Sequence, residues 1–348
     1  MNPQPKMTVI TAAYNLLEAG REEMFRQCLE SVHNQTYKNI EHIIILTPSS
    51  DGTEQLVDEY ADKGWVSCHI QPKRGVWQAM AKGIEVAAGD FINFMNSDDY
   101  FYDLEAVEQI VNALVREQAD YAYSNARVLS DDGSESCWYD NYDFVPFGQG
   151  LCHQTMFVSM EVMREFGGFR IEDGNSPDNY MMLELQIKNK KHAHINKSLV
   201  TFRQGGWSSQ LNSLKIKEGY QNNFYNQIGK DFGLTFEECG DIWCFNAIQN
   251  KDEKYCRKLA EKIKNGEWKR TFLDKLNQKV TDEAVYYHLL FGFIPFIKQK
   301  QDRAKGRTRY YLFNFIPIWK TKISNNDTKI EYCLFQFIPI LKIKIKNN

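Results

Sequence analysis

The chain of 348 residues is 43% hydrophobic and 25% charged, with a formal net charge of -3. This composition is typical of a folded protein with one large domain and smaller additions, and it excludes a disordered chain. The small negative charge gives no basis for nucleic-acid binding. Eight cysteines without a CxxC pair argue against a zinc site and a disulfide scaffold, and they favour reduced cytoplasmic thiols.

The first hundred residues alternate strand and helix patterns, which is typical of an α/β layer with a parallel sheet. Asp51, followed three residues later by Glu54, has the pattern of a capping box at a helix start. We predict strands over 7–13, 40–46 and 67–71, and helices over 18–33, 51–61 and 76–87.

The segment Gly89–Tyr100 combines a compact apolar strand with a turn that contains two adjacent acids. The apolar residues among 91–95 are typical of a strand buried on both faces of a parallel sheet. Ligands bind beyond the carboxyl ends of such strands, where Asn96, Asp98 and Asp99 are expected. Taken alone, the turn also fits a polar loop that closes a core strand, so its meaning depends on the surrounding sequence.

The patterns are less regular beyond Asp99. One predicted helix begins near Ser159 and ends at Gly167–Gly168, because paired glycines favour a helix stop. Residues from about 211 to 288 have a mostly helical pattern without a recognisable motif. The other predicted elements are helices over 104–117 and 180–188 and strands over 121–124, 192–195 and 199–202.

The last 58 residues contain an internal repeat and an excess of basic residues. The pattern Phe-x-Phe-Ile-Pro begins at Phe291, Phe313 and Phe335, and lysines follow each copy. From residue 291 onward, twelve Lys and Arg against three acids give 12 - 3 = +9, which leaves -12 for the rest. Alternating apolar and basic residues predict strands with one cationic face. This tail is either a patch that binds an anionic membrane or a self-packed basic appendage.

The amino-terminal sequence lacks the basic start and apolar core of a signal peptide. No apolar run approaches the roughly 18 residues that a membrane-spanning helix needs. We therefore predict a cytoplasmic protein, peripheral on the inner face of the cell membrane if the tail binds lipid.

Several motifs, in their order and spacing, resemble those of family 2 glycosyltransferases, and most closely the branch that builds bacterial surface polysaccharides. The resemblance covers roughly residues 7–210 and implies the GT-A fold, with a mainly parallel central sheet flanked by helices. We therefore expect a GT-A domain over 1–210, a helical region over 211–288 and a repeat-containing basic tail over 289–348. The motifs are ITAAYN (10–15), SVHNQTYKNIEHIII (31–45), SSDGT (49–53), GVWQAMAKGIEVAAGDFINFMNSDD (75–99), HQTMF (153–157), GGF (167–169) and FRQGGWS (202–208).

The resemblance implies transfer of a sugar from a nucleotide-diphosphate donor to a hydroxyl of a glycan or lipid-linked acceptor. Asp98 matches the metal-ligating acid of the family, with Asn96 and Asp99 beside it, and the ion would be Mg²⁺ or Mn²⁺. Asp178 matches the general base of inverting transfer. Without the family, a helix N-cap is the preferred explanation for Asp178, and the family's register reverses that preference.

Other positions are implied in the donor and acceptor pockets. Without the family, Lys73 and Arg74 fit ordinary exposed cations, Trp207 fits a core tryptophan, and His153 and Gln154 fit polar packing. The resemblance implies donor contacts at Thr11, Ala13, Tyr14, Thr47, Lys73, Arg74 and Ser97, and sugar or acceptor contacts at His153, Gln154 and Trp207.

The sequence departs from the family on the donor side. Leu46 stands where an aspartate usually binds uracil, and a leucine cannot accept a hydrogen bond from the base. Gln78 and Ala81 replace the Asp and Asn of a common DAMNKG element. A UDP-sugar remains the expected donor, although these changes weaken that expectation. The alternative is a catalytically impaired GT-A domain that serves as a binding or assembly protein in polysaccharide synthesis.

Overall fold

The computed structural model describes residues 2–72, 74–148, 150–169, 176–206, 213–290, 294–302, 307–312, 316–324, 327–334 and 338–346. Side chains are described as far as residue 279, except those of 213–216. The chain forms two compact units, residues 1–246 and residues 247–348. The domain boundaries expected near residues 210 and 288 stay predictions.

A nine-stranded mixed sheet organises the first unit, in the order β3-β2-β1-β4-β8-β6-β9-β5, with β7 paired to β6. The pairings from β3 to β4 are parallel, as the alternating pattern predicts. Beyond β4 the sheet is mixed, because β8 runs antiparallel to both β4 and β6. The strands are β1 (Met7–Ala13), β2 (Ile40–Leu46), β3 (Ser67–Ile70), β4 (Phe91–Phe94), β5 (Tyr100–Phe101), β6 (Tyr121–Leu129), β7 (Glu135–Trp138), β8 (Phe157–Ser159) and β9 (His192–Arg203).

Helices cover both faces of this sheet, because apolar residues that alternate along a buried strand enter different layers. Val9 belongs to the same core cluster as Val32 of α1, and its neighbour Ile10 belongs to the cluster that contains Met80 of α3. The helices of the first unit are α1 (Glu22–His33), α2 (Thr53–Asp62), α3 (Val76–Val86), α4 (Ala106–Glu117), α5 (Met160–Glu165), α6 (Pro177–Ile187), α7 (Ser213–Phe224), α8 (Lys230–Phe232) and α9 (Phe236–Ile242), with 3-10 turns at Tyr142–Phe147, His153–Thr155 and Trp243–Phe245 and a π-helical turn at Tyr225–Gly229.

Two helix starts differ from the sequence prediction. Helix α1 begins at Glu22 instead of residue 18, since Asn15 adopts a left-handed φ of 46° and starts a separate turn. The predicted capping box at Asp51 is wrong, because Gly52 is the residue before α2. Asp51 instead accepts hydrogen bonds from the backbone N–H of Glu18 and from Thr53, which ties the two loops together.

The strands predicted over 192–195 and 199–202 form one element, β9. It pairs in parallel with β6 over its whole length, and the register shifts around Asn125. The polar residues between the two predicted strands fall at this irregularity, where Asn125 Nδ2 donates to Asn196 Oδ1 at 3.0 Å. A bulge therefore keeps both apolar segments in one strand.

The second unit contains two longer helices and a six-stranded antiparallel sheet in sequence order. Helix α10 (Asn246–Asn250) begins at the boundary between the two units, and α11 (Glu253–Lys262) and α12 (Gly266–Asp282) follow. None of the helices in the described chain has the length and apolar character needed to cross a bilayer. The strands are β10 (Glu283–Leu290), β11 (Ile294–Asp302), β12 (Arg307–Leu312), β13 (Ile316–Ser324), β14 (Asp327–Leu334) and β15 (Ile338–Lys346).

Each sequence repeat corresponds to one β-hairpin of this sheet. The three hairpins are β10–β11, β12–β13 and β14–β15, and each has a register shift, after His288, Tyr310 and Tyr332. These positions are 22 residues apart, which is the spacing of the sequence repeat. The strands predicted from the alternating pattern are confirmed, and the repeat is a supersecondary unit that pairs with its neighbours.

Candidate functional site

The acidic turn lies at the carboxyl edge of the parallel part of the sheet. Phe91, Ile92 and Phe94 are at most 3% exposed, and Met95 is fully buried, so strand β4 is covered on both faces as predicted. Met95 N–H donates to the carbonyl of Ile10 in β1, which continues the pairing past the end of β4. The core therefore fixes the direction in which residues 96–99 leave the sheet.

Asp99 is fully buried and holds this turn together. Its Oδ1 accepts from Arg203 N–H at 2.8 Å, and its Oδ2 accepts from Gln154 Nε2 at 2.8 Å and Asn96 Nδ2 at 3.1 Å. Burial and then the adjacent Asp98 charge raise the pKa of Asp99 to about 7, against the effect of these hydrogen bonds. Both oxygens of the Asp99 carboxylate already accept hydrogen bonds, so the role of Asp99 is to stabilise the turn.

Asp98 is the acid of the pair that faces the site. Its Oδ2 lies 3.2 Å from Arg21 Nη1, and the carboxylate side chain is 10% exposed. Arg203 donates to the carbonyl oxygen of Asp98, and its guanidinium lies over the Tyr100 ring at 4.8 Å. Two arginines thus place positive charge around Asp98. Neither was singled out from the sequence, although Arg203 lies within the FRQGGWS motif.

Gly205 and Gly206, in the FRQGGWS motif, lie beside Asp98. Arg21 Nη2 donates to the Gly205 carbonyl at 3.4 Å, so one arginine contacts both the loop and the acid. Gly205 has a left-handed φ of +87°, and a Cβ on Gly206 would lie 3.1 Å from Asp98 Oδ2. Only a residue without a side chain fits there without displacing the carboxylate.

The candidate base and the acidic turn are linked by two consecutive residues. Asp178 is the second residue of α6, after Ser176 at the cap position and Pro177, so it is not the N-cap that its sequence also allowed. Its Oδ2 lies 3.4 Å from His153 Nδ1. Gln154, the next residue, donates to Asp99. His153 Nε2 is buried and has no hydrogen-bond partner among the described residues.

A buried acid that the sequence did not reveal fixes the turn that carries His153 and Gln154. Asp140 accepts from Cys152 N–H at 3.0 Å and from Thr155 Oγ1 at 2.9 Å, one residue on each side of that pair. Burial raises the pKa of Asp140 to about 8, although these hydrogen bonds oppose the rise. No local pattern distinguishes such an acid from a surface aspartate, since only tertiary packing buries it.

The expected donor residues divide into two groups. Thr47 N–H donates to the Ala13 carbonyl at 3.0 Å, which joins the ends of β1 and β2. Just beyond, the Arg74 guanidinium lies 4.8 Å from the centre of the Tyr14 ring. Thr11 lies apart, because it is fully buried and bonded at 3.0 Å to His42. Burial lowers the pKa of that histidine to about 3 and keeps it neutral.

The positions that depart from the family pattern belong to the core or its border. Leu46 is 2% exposed and belongs to the core cluster that contains Leu56 and Phe25, so its role is structural. Ala81 packs against the cluster that contains Ile10. Ser97 is buried within the acidic turn. Lys73 and Trp207 lie outside the described residues.

The oxygen atoms around Asp98 are of the kind that a hard divalent cation prefers. Mg²⁺ is held by one or two carboxylates and completes its shell with water and substrate phosphates, so it does not need a protein cage. Asp98, with the amide of Asn96 in the same turn, meets that requirement. Among the residues with described side chains, no three His, Cys, Asp or Glu converge as a metal cage would require. The residues therefore fit an ion that arrives with a diphosphate.

Comparisons with known proteins identify the class to which this fold and site belong. Two crystal structures of S. aureus TarS superpose with a TM-score of 0.54. The form in complex with UDP-GlcNAc is 14% identical and covers 78% of this chain and 81% of its own. The other is 12% identical and covers 98% and 69%. The fold is therefore the GT-A fold.

The sequence profile described as "Glycosyl transferase family 2" matches residues 8–183, or 176 of 348 residues, and the chain belongs to this family. Glycosyltransferase GlyA of Streptococcus pneumoniae serotype 4 is 27% identical over 219 residues, which cover 57% of this chain and 30% of that relative. Putative glycosyltransferase EpsH of Bacillus subtilis is 40% identical over 98 residues, which cover 28% and 27%. The alignments thus span less than a third of either relative.

Proposed function

We propose that this protein is an inverting, metal-dependent glycosyltransferase that moves a sugar from a nucleotide-diphosphate donor to a hydroxyl of a growing bacterial surface glycan. The acceptor would be a lipopolysaccharide, a capsule or a related polymer, presented at the inner face of the cell membrane. UDP-sugars are the first donors to test, since one structural neighbour is a complex with UDP-GlcNAc.

The observation that supports this proposal best is the continuous link from Asp178 through His153 and Gln154 to Asp99 and Asp98. Inverting transfer needs a group that receives a proton from the acceptor and a second group that stabilises the departing diphosphate. The link joins the half-buried Asp178 to the buried acidic turn, which holds the group that receives the proton at a fixed distance from the group that stabilises the leaving diphosphate.

In the proposed reaction, the bond between the sugar anomeric carbon and the diphosphate oxygen breaks while a bond to the acceptor oxygen forms on the opposite face. Asp178 accepts the hydroxyl proton, and His153 Nδ1 orients its carboxylate. Arg21 and Arg203 bring positive charge to the side where the diphosphate leaves. A divalent cation bound at Asp98 would neutralise charge on that leaving group.

The second candidate function is a GT-A domain that binds donor or glycan without turning it over. The observation in its favour concerns two positions where related enzymes have polar groups: Leu46 is packed into the core, and Ala81 packs against its border. This leaves fewer side chains to bind the nucleotide base. The domain would then act as a binding or assembly protein in polysaccharide synthesis.

A panel of nucleotide sugars, measured by calorimetry with and without Mn²⁺, separates the two candidates. We expect metal-dependent binding of at least one donor by the wild type and loss of that binding in Asp98→Ala. Release of nucleotide diphosphate in the presence of acceptor glycans then reports turnover. Donor binding without turnover on any acceptor would favour the binding protein, and no metal-dependent binding at all would reject the enzyme.

A further inference from the structure

All charged residues in the described strands of the second unit's sheet lie on one of its two faces. Residues that face each other across antiparallel strands lie on the same face, and the faces alternate along each strand. The observed registers place every Asp, Glu, Lys and Arg of the six strands on one face, here called the charged face. These residues are Glu283, Lys298, Lys300, Asp302, Arg307, Arg309, Lys320, Lys322, Asp327, Lys329, Glu331, Lys342, Lys344 and Lys346.

The charged face is strongly cationic and forms ordered rows. Ten basic and four acidic residues give 10 - 4 = +6. One row crosses five adjacent strands through Lys300, Arg309, Lys320, Glu331 and Lys342. Neighbouring strands are about 4.8 Å apart, and alternate residues along one strand are about 6.8 Å apart. The basic residues therefore form a two-dimensional array rather than a single line.

The other face has a different composition. A row of the same kind passes through Tyr286, Gln299, Tyr310, Trp319, Tyr332 and Leu341, and this face carries no Asp, Glu, Lys or Arg in the described strands. The hairpin repeat explains how the separation persists. Each 22-residue unit restores the same register shift, so the alternation stays in phase from one hairpin to the next.

We propose that the charged face docks this glycosyltransferase on an anionic lipid bilayer. Charge complementarity supports this occupant, because anionic headgroups attract clusters of basic residues near the surface. The two-dimensional array favours a planar partner, whereas a linear polyanion would follow only one row. This inference deepens the proposed location at the membrane, and its test does not depend on sugar transfer.

The experiment is sedimentation of the full chain with vesicles of phosphatidylcholine alone or with 30% phosphatidylglycerol. Each basic residue near such a surface contributes roughly fivefold in affinity. Replacing Lys300, Arg309, Lys320 and Lys342 with Gln should therefore weaken binding about 10²–10³-fold, while Glu331→Gln in the same row should strengthen it. The matched control replaces four basic residues of α11 and α12, namely Lys254, Lys258, Lys269 and Arg270, with Gln and should change binding little.

The full charge-conserving exchange, K300R/R309K/K320R/K342R, should bind like the wild type. It keeps the test decisive if the neutral variant fails to fold, as judged by circular dichroism. Wild-type binding should also fall steeply between 0.05 M and 0.5 M salt. Equal loss in the helix control, binding to phosphatidylcholine alone, or binding to soluble polyphosphate without binding to the anionic vesicles would overturn the proposal.

Discussion

The Asp178→Asn variant distinguishes two possible roles of Asp178: a general base in catalysis, or an acid that only stabilises the start of a helix. Asn has nearly the same shape and can still accept a hydrogen bond from His153 Nδ1, which lies 3.4 Å from the Asp178 carboxylate. It cannot receive the acceptor proton. Donor binding should be unchanged, because Asp178 is linked to the acidic turn only through His153 and Gln154 among the described contacts.

The two roles predict effects of different size. An acid in the first turn of a helix contributes about 0.3–1 kcal/mol through the helix dipole, so the cost in stability should be small. Loss of a general base should reduce kcat about 10²–10⁴-fold, equivalent to about 2.7–5.4 kcal/mol in the activation barrier. The expected signature is therefore a nearly inactive enzyme that unfolds like the wild type.

The assay measures release of nucleotide diphosphate with a donor identified by calorimetry, alongside urea unfolding of the same samples. Glu161→Gln is the matched control, since Glu161 is also an acid in the first turn of a helix, α5. It should lose a similar amount of stability and no activity. Transfer by Asp178→Asn within about threefold of the wild type would show that the base is another group, with His153 the first to examine.

Three further predictions concern the frame around the acids. Gly206→Ala should slow transfer roughly threefold to tenfold, because the new Cβ would displace Asp98 Oδ2 by a few tenths of an ångström. The control Gly266→Ala places its Cβ in open space and should not slow transfer, so equal activity of both variants would contradict this prediction. Asp99→Ala leaves the buried Gln154 amide and the partly buried Arg203 N–H unpaired, and the buried donor alone costs about 1–3 kcal/mol. Calorimetry should therefore show weaker donor binding together with lower stability, and unchanged stability would refute the role of Asp99 in the frame. Asp140 has a folded-state pKa of about 8 against an ordinary value of 3.8. The wild type should therefore lose stability relative to Asp140→Asn as the pH rises from about 4 to 8, by about 1.4 kcal/mol per pH unit at most. A pH-independent difference between the two proteins in urea unfolding would contradict the burial of a charge at this position.

The elements near the acidic turn were predictable because their patterns are local. A strand buried on both faces needs consecutive apolar residues, and 91–95 provide them before the acids. Helix starts were less predictable, since the backbone conformations of Asn15 and Gly52, not the apolar periodicity, decide where α1 and α2 begin. The single strand β9 was also missed, because its polar interruption is compensated by a bulge opposite Asn125.

By itself, the sequence determined the family, the acidic turn and the repeat of the tail, since each is written in consecutive residues or fixed spacings. Only the tertiary structure decided that Asp98 faces the site and that Asp99 stabilises the turn, because the two residues are chemically identical neighbours. Asp99 is buried and accepts hydrogen bonds from three donors that hold the acidic turn together, whereas Asp98 forms an ion pair with Arg21, which is distant in sequence. The same holds for the charged face, because alternation predicts two faces in each strand and only the register between strands aligns them. Contacts between distant segments carry this information, and no local pattern encodes it.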